Sequence, residues 1–543
     1  MKRWIAMLLC AALLLGTVGC TGSNETTPTG DERQPGAEAV IGAEYHTDFV
    51  CQDNNRVFYE IFVGSFSDSD GDGVGDLRGI INRMDYLNDG DPNSGLSLGV
   101  EGLWLTPIFT SPSYHKYDVT DYYEIDPEFG TMDDLRELVQ LCHERNVEVI
   151  LDLVINHTST QCAWFKEFSN AHKNGDTESE YYDFYTWCTK DDKPSGRTFN
   201  AISGTDHLYE CNFWDQMPEL NYDNPAVRQA VLDVAKFYLE LGVDGFRFDA
   251  AKYIYFGDHA ASVEFWNWYM DELRAIKPDV YTVAEVWDSD SVIDLYYPAL
   301  NCFNFSASLN SGLIAETAKH GDVNRYVAYV ESCLNKIEGL RSDSMLLLFI
   351  TNHDMDRAAG FLNVASYNMQ VAANLYLLGP GSPFIYYGEE LGMCGSRGSA
   401  NTDSNRRLAM LWGDGDTVSD PVGATYPATS QVSDTVVDQL ANEGSLLSYY
   451  KALLRIRSAN PEIARGEYHA LSFSGTKLGG FTSTWEGNTV CVIHNTTLNP
   501  ITVDLSTVTS ISFTTLAAVI GKNDATLDGT TLTVGGQTSV VLR

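Results

Sequence analysis

Apolar β-like runs that end in ionisable residues recur along this chain and alternate with helical stretches. Candidate strands lie at 57–63, 102–107, 147–154, 245–249, 281–286, 303–307, 346–351 and 384–387. Between them run segments with apolar residues three and four apart, such as 132–145 and 226–241. Strand–helix units in that number suit one closed parallel barrel, and 543 residues leave room for an accessory domain. The expected class is therefore α/β, a (β/α)8 TIM barrel over 45–462. The gap from His157 to Met217 is far longer than an ordinary connection. Rich in Tyr, Trp, Asp and Lys, it reads as a domain inserted after strand three, residues 158–218. A helix over 446–458 closes the barrel. Past Pro461 the pattern turns to Thr/Val/Gly-rich alternation, as in LTVGGQTSVVLR, and predicts a C-terminal antiparallel β-sandwich over 463–543.

The run endings carry the chemistry. GVDGFRFDAAK (242–252) places Arg247 two residues before Asp249, so strand alternation puts both side chains on one face. A guanidinium beside a carboxylate favours its ionised form, which a nucleophile needs at neutral pH. DLVINHT (152–158) supplies Asp152, Asn156 and His157. AEVW (284–287) supplies Glu285, and FITNHDMDR (349–357) supplies His353 and Asp354. Such residues at the carboxyl ends of barrel strands point into one site. Three carboxylates and two histidines there suit glycoside hydrolysis: one attacks, one protonates the leaving oxygen, one steadies the sugar.

These four segments, in this order and spacing, resemble the motifs of the α-amylase superfamily of retaining glycoside hydrolases. MPELN (217–221) resembles a fifth, near the end of the family's inserted B domain. The resemblance implies Asp249 as nucleophile, Glu285 as acid/base and Asp354 as the third carboxylate. Arg247 would hold Asp249 ionised, and His157 and His353 would bind hydroxyls of the sugar at the cleavage point. Within SPSYHKYDVTDY (111–122), Tyr117 matches the family's stacking tyrosine. Asp118 and Arg357 match a pair that touches the nonreducing end in pocket-type members. RRLAMLW (406–412) resembles the loop after strand eight in oligosaccharide-cleaving relatives. The reading Asp249-Ala250-Ala251-Lys252 is that of α-amylases, with Lys252 reaching the +2 sugar. Together the motifs resemble bacterial lipoprotein α-amylases intermediate between the oligo-1,6-glucosidase and neopullulanase branches. The activity implied is hydrolysis of internal α-1,4 bonds in starch and maltodextrins; the alternative is an α-glucosidase or neopullulanase-type enzyme on short oligosaccharides. A non-catalytic starch-binding lipoprotein fits poorly with an intact triad.

DSDGDGVGD (68–76) sets Asp68, Asp70, Asp72 and Asp76 around glycines. Clustered carboxylates repel unless a cation sits among them, and oxygen-rich turns suit Ca2+. The segment resembles the calcium loop of oligo-1,6-glucosidase-like members, with the Val74 carbonyl as a further ligand. A second calcium near Asn156 is common in amylases, but Tyr253 stands here where a histidine is usual.

The N-terminus reads as a targeting segment. Lys2 and Arg3 precede the apolar stretch 4–15, and small residues lead to Cys20. GTVGC resembles a bacterial lipoprotein cleavage site, although Thr17 stands where leucine is usual. Residues 1–20 would be a signal peptide, Cys20 the lipidated residue, and polar 21–44 a flexible tether. That implies export across the cytoplasmic membrane and lipid anchoring at the cell surface. With 74 acidic against 35 basic residues, a net charge of −39 argues against nucleic acid as a partner. Cysteine spacing is irregular and lacks a C-x-x-C pair, so zinc and redox motifs are absent. One pair among Cys162, Cys188 and Cys211 could bridge.

Overall fold

A computed structural model describes residues 47–543; the signal segment, Cys20 and the tether to residue 44 lie outside the described residues. The barrel forms from parallel strands Phe58–Ile61, Gly102–Leu105, Glu148–Leu153, Gly245–Phe248, Tyr281–Ala284 and Phe384–Tyr386. They pair side by side, the last strand returning to the first. Every residue of these strands is buried except Glu148, as expected where helices cover the outer face and side chains fill the inside.

Two expected strands are reduced to single bridges. Cys302 pairs with Ala284, and Phe303 with Leu347. Residues Phe305–Ala307 form a 3-10 turn instead, because the Asn304 side chain accepts the Ala307 N–H at 3.0 Å. The ring still closes, since Ser382 and Phe384 donate to the carbonyls of Leu346 and Leu348 at 3.0 and 2.9 Å. The expected helices run Met132–Glu144, Pro225–Leu241 and Leu446–Ala459.

The insertion contains helix Ala163–Asn174 and an antiparallel sheet of Trp187–Thr189, His207–Glu210 and Phe199–Ala201. Its return segment is sewn to the end of strand three: Thr158 donates to Pro218 O and Leu220 to Asn156 O. Cys162, Cys188 and Cys211 are free thiols, so the possible bridge is not made.

The C-terminal domain packs a five-stranded antiparallel sheet against a three-stranded one. Alternation along Asn488–Asn495 divides its side chains. Cys491 and Ile493 enter the sandwich core, while Val490 and Val492 join the barrel's core. The domain is thereby fastened to the barrel by one whole sheet face.

Candidate active site

Strand Gly245–Phe248 carries Arg247 and runs into Asp249; Tyr281–Ala284 runs into Glu285. Arg247 is wholly buried and donates from Nη1 to Asp152 Oδ1 at 2.7 Å and to Asp249 Oδ1 at 2.8 Å. Its Nη2 lies 2.8 Å from Glu285 Oε2, an ion pair without hydrogen-bond alignment. Ala250 takes a left-handed backbone, φ 49°, which costs energy in a residue with a Cβ. That turn aims its N–H at Glu285 Oε2, 3.0 Å away. One guanidinium and one strained turn therefore fix the two carboxylates relative to each other.

Asp354 is held from another side. Arg407 Nη2 donates to its Oδ1 at 2.8 Å, and His353 Nε2 lies 3.1 Å from its Oδ2. His353 Nδ1 reaches Glu60 Oε1 on the first strand at 2.6 Å. Tyr117 stacks on His353, donates to Asp152 Oδ2 at 2.8 Å and lies 2.7 Å from His353 Nε2. His157 Nε2 contacts Tyr117 O at 3.2 Å.

These environments separate the groups' proton affinities. Burial pushes the Asp249 carboxyl up to about 6; Arg247 opposes this, while Asp152 and Asp354 add to it. Arg247 favours the ionised form, as the sequence leads one to expect; desolvation outweighs it, yet the carboxyl is mostly ionised at neutral pH. Burial raises Glu285 too, against Arg247 and with Asp249 and Asp354. Burial also acts to raise Asp354, but His353 and Arg407 outweigh it and hold the carboxyl well below the usual range. Burial alone would lower His353; Asp354 and Glu60 instead push it up to about 10, so at neutral pH both ring nitrogens donate. His157, lowered by burial to about 4, is neutral. Carboxylates pushed apart in this way can divide nucleophile, acid and charge-stabilising duties.

Aromatic side chains flank the site. Trp287 is 39% exposed, stacks on Phe305 at 5.1 Å, and shares a cavity of about 390 Å³ with Asp354, Arg397 and Arg406. Lys252 Nζ donates to Trp287 O at 2.7 Å and pairs with Asp288 at 2.8 Å. Phe213 of the insertion packs on Tyr253 and His157.

Asp118 and Arg357, matched to a pair at the nonreducing end, have separate protein partners. Asp118 accepts from Ser111 Oγ at 2.8 Å and from Ser113 Oγ. Arg357 is buried over Tyr386 and Tyr387 and donates to Tyr387 O at 2.6 Å and Arg406 O at 3.0 Å. Both side chains serve the loops that carry the site. Glu60 and Arg407 escaped the sequence reading. A carboxylate inside the apolar run FYEIFV is the signal for the first; the second stands within RRLAMLW.

In the acidic loop, carboxylate oxygens of Asp68, Asp70 and Asp76 converge within 4.8 Å of one another. Gly71 and Gly73, with φ of 90° and 94°, supply the left-handed turns that bring them together. Asp72 lies outside this group; its Oδ1 accepts the Val74 N–H at 2.8 Å. Asp68 is braced by Thr417 Oγ1 at 2.6 Å and by the N–H groups of Gly71 and Gly73. An all-oxygen donor set fits a hard cation.

The three differently tuned carboxylates at the carboxyl ends of this barrel's strands are those of a glycoside hydrolase. The chain belongs to the alpha-amylase family, whose catalytic-domain model matches residues 60–466. It is similar to Alpha-amylase 3 of Dictyoglomus thermophilum, at 37% identity over 81% of this chain and 84% of that one. It also resembles the oligo-1,6-glucosidase of Bacillus cereus, at 30% identity over 81% and 90%. Among solved structures, Eubacterium rectale Amy13B superposes with a TM-score of 0.83 at 34% identity, covering 91% of this chain and 96% of that one. The family includes retaining hydrolases of α-glucans, and its members commonly bind calcium.

Proposed function

We propose that this chain is an extracellular α-amylase that cuts internal α-1,4-glucosidic bonds of starch and maltooligosaccharides. The observation that carries the catalytic assignment is the Arg247 fork, which touches both Asp249 and Glu285 while Asp354 is bound elsewhere. Asp249 attacks the anomeric carbon. Glu285 gives its proton to the leaving oxygen, then takes one from the water that releases the sugar. Asp354, fixed by Arg407 and His353, stabilises the oxocarbenium-like charge. His353 and His157 face the same sugar. Support for internal cleavage comes from Lys252 and exposed Trp287 after the acid, and from exposed Phe213 of the insertion. The 30% identity to an oligo-1,6-glucosidase supports the second reading, a short-oligosaccharide α-glucosidase or neopullulanase-type enzyme. A maltoheptaose blocked at its nonreducing end separates the α-amylase, which cleaves it, from an exo-acting α-glucosidase, which leaves it whole.

The tuning sets a pH profile. Asp249 must be ionised, so kcat/KM falls as pH drops through about 6. Glu285 must be protonated, so activity also falls on the alkaline side as that raised group ionises. A bell-shaped profile is expected; a rate flat from neutral pH down to about 4 contradicts the assignment.

The acidic loop would hold one Ca2+ through Asp68, Asp70 and Asp76, for stability rather than chemistry. Asp76 also caps helix Leu77–Asn82, and Asp68 is pinned by Thr417, so exposed Asp70 is the cleanest ligand to remove. A ligand at a hundredfold excess over Kd stabilises a fold by about 2.7 kcal/mol. Asp70→Ala should lower Tm in calcium and abolish most of its calcium dependence, with kcat little changed. An unaltered calcium response in the variant contradicts this. The proposed location is the cell surface, by export and lipidation of Cys20; metabolic labelling with a fatty acid, lost in Cys20→Ala, is the test.

A further inference from the structure

The inserted domain rises from strand three and reaches the barrel through Phe213, whose ring packs on His157 and Tyr253. Its base is sewn to residues 156–158 by backbone hydrogen bonds. Its far hairpin has a different fastening, built on Arg197. This guanidinium pairs through Nη1 with Glu210 Oε2 at 3.2 Å, within the insertion. Through Nη2 it donates to the carbonyl of Phe256 at 2.8 Å, on the barrel loop that follows Asp249. The same guanidinium lies over the Phe256 ring, 5.4 Å from its centroid. Glu210 is nearly inaccessible, at 2% exposure, and its other oxygen accepts from Asn212 Nδ2 at 2.8 Å. Both carboxylate oxygens are thus occupied, and the charge is matched inside the seam.

We propose that Arg197 is a positioning residue for substrate binding, the bolt that sets the insertion's aromatic wall against the barrel. Phe256 packs on Tyr253, Tyr253 on Phe213, and Phe213 on His157, with ring centroids 5.7, 5.0 and 5.4 Å apart. The row leads from Arg197 to the sugar-facing histidine. An arginine suits the task because its planar fork serves two acceptors at once, one on each body, while a lysine offers a single point charge. The inference rests on the α-glucan reading of the site, but its physical core is tested apart from activity.

The experiment uses the wild-type protein, Arg197→Met and Arg197→Lys. Three quantities are read: steady-state kinetics on maltoheptaose and on α-glucosyl fluoride, trypsin nicking within 158–218, and Tm. For Arg197→Met, KM for maltoheptaose should rise about tenfold with kcat within about twofold, and glucosyl fluoride turnover should hold within about twofold. Nicking within the insertion should accelerate while the barrel stays intact, and Arg197→Lys should recover part of both losses. EDTA should lower Tm of the wild type without accelerating nicking of its insertion. The proposal is overturned if Arg197→Met leaves KM and nicking unchanged. It is overturned equally if kcat on both substrates falls together with Tm and no selective nicking, or if EDTA alone frees the wild-type insertion. Failure of the α-glucan reading would show separately, as a wild type inactive on both sugars with the nicking pattern still deciding the role of Arg197.

Discussion

Asp249→Asn should abolish turnover of starch and maltooligosaccharides while leaving oligosaccharide binding in place. The amide matches the carboxylate in volume and still presents an oxygen to Arg247 Nη1. The buried site therefore keeps its shape, and Arg247 keeps its partner Asp152. What is lost is the atom that bonds to the anomeric carbon, so no glycosyl-enzyme intermediate forms. Removing a nucleophile from a constellation acting as a unit costs on the order of 10⁴-fold or more in kcat. Calorimetric or fluorescence titration with maltoheptaose should give a Kd close to the KM-derived value of the wild type. Rapid hydrolysis by a verified, deamidation-free variant would remove Asp249 from the mechanism.

The second large effect is expected at Glu285. Proton donation by a positioned acid contributes typically about 10²–10⁴-fold, and the loss depends on how much the leaving group needs the proton. Glu285→Gln should therefore fall by that order on maltooligosaccharides, whose leaving alkoxide is strongly basic. α-Glucosyl fluoride needs no proton, so formation of its intermediate should be spared. The alkaline limb of the pH profile should vanish for fluoride in this variant, while the acidic limb from Asp249 remains. Equal losses on both substrates at the glycosylation step would mean that another group is the acid.

The barrel strands and the triad were legible because both are local patterns. A strand's burial writes itself as an apolar run, and the catalytic residue stands where that run stops, as Asp249 does after Phe248. Residues 303–307 and 346–351 show where this reading fails: the apolar run is present, but Asn304 caps a 3-10 turn and leaves single bridges. Local hydrogen bonding overrode propensity there. Arg407 was invisible for a different reason. Its contact with Asp354 spans 53 positions, and nothing in RRLAMLW announces which of two adjacent arginines turns inward. The proton affinity of Asp249 lay equally out of reach, because a sequence shows the neighbouring arginine but not the depth of burial that outweighs it. Among the acidic positions, spacing named four aspartates, of which Asp68, Asp70 and Asp76 converge while Asp72 accepts the Val74 N–H.

The central claim is internal cleavage of α-glucans with retention, by the Asp249–Glu285 pair. Proton NMR of a maltoheptaose blocked at its nonreducing end, followed from the first minutes of reaction, tests it most directly. New reducing ends in the α configuration, appearing before mutarotation brings in the β form, are the predicted result. New β-anomeric ends appearing first, or a blocked substrate left intact while free maltooligosaccharides are consumed, would contradict it.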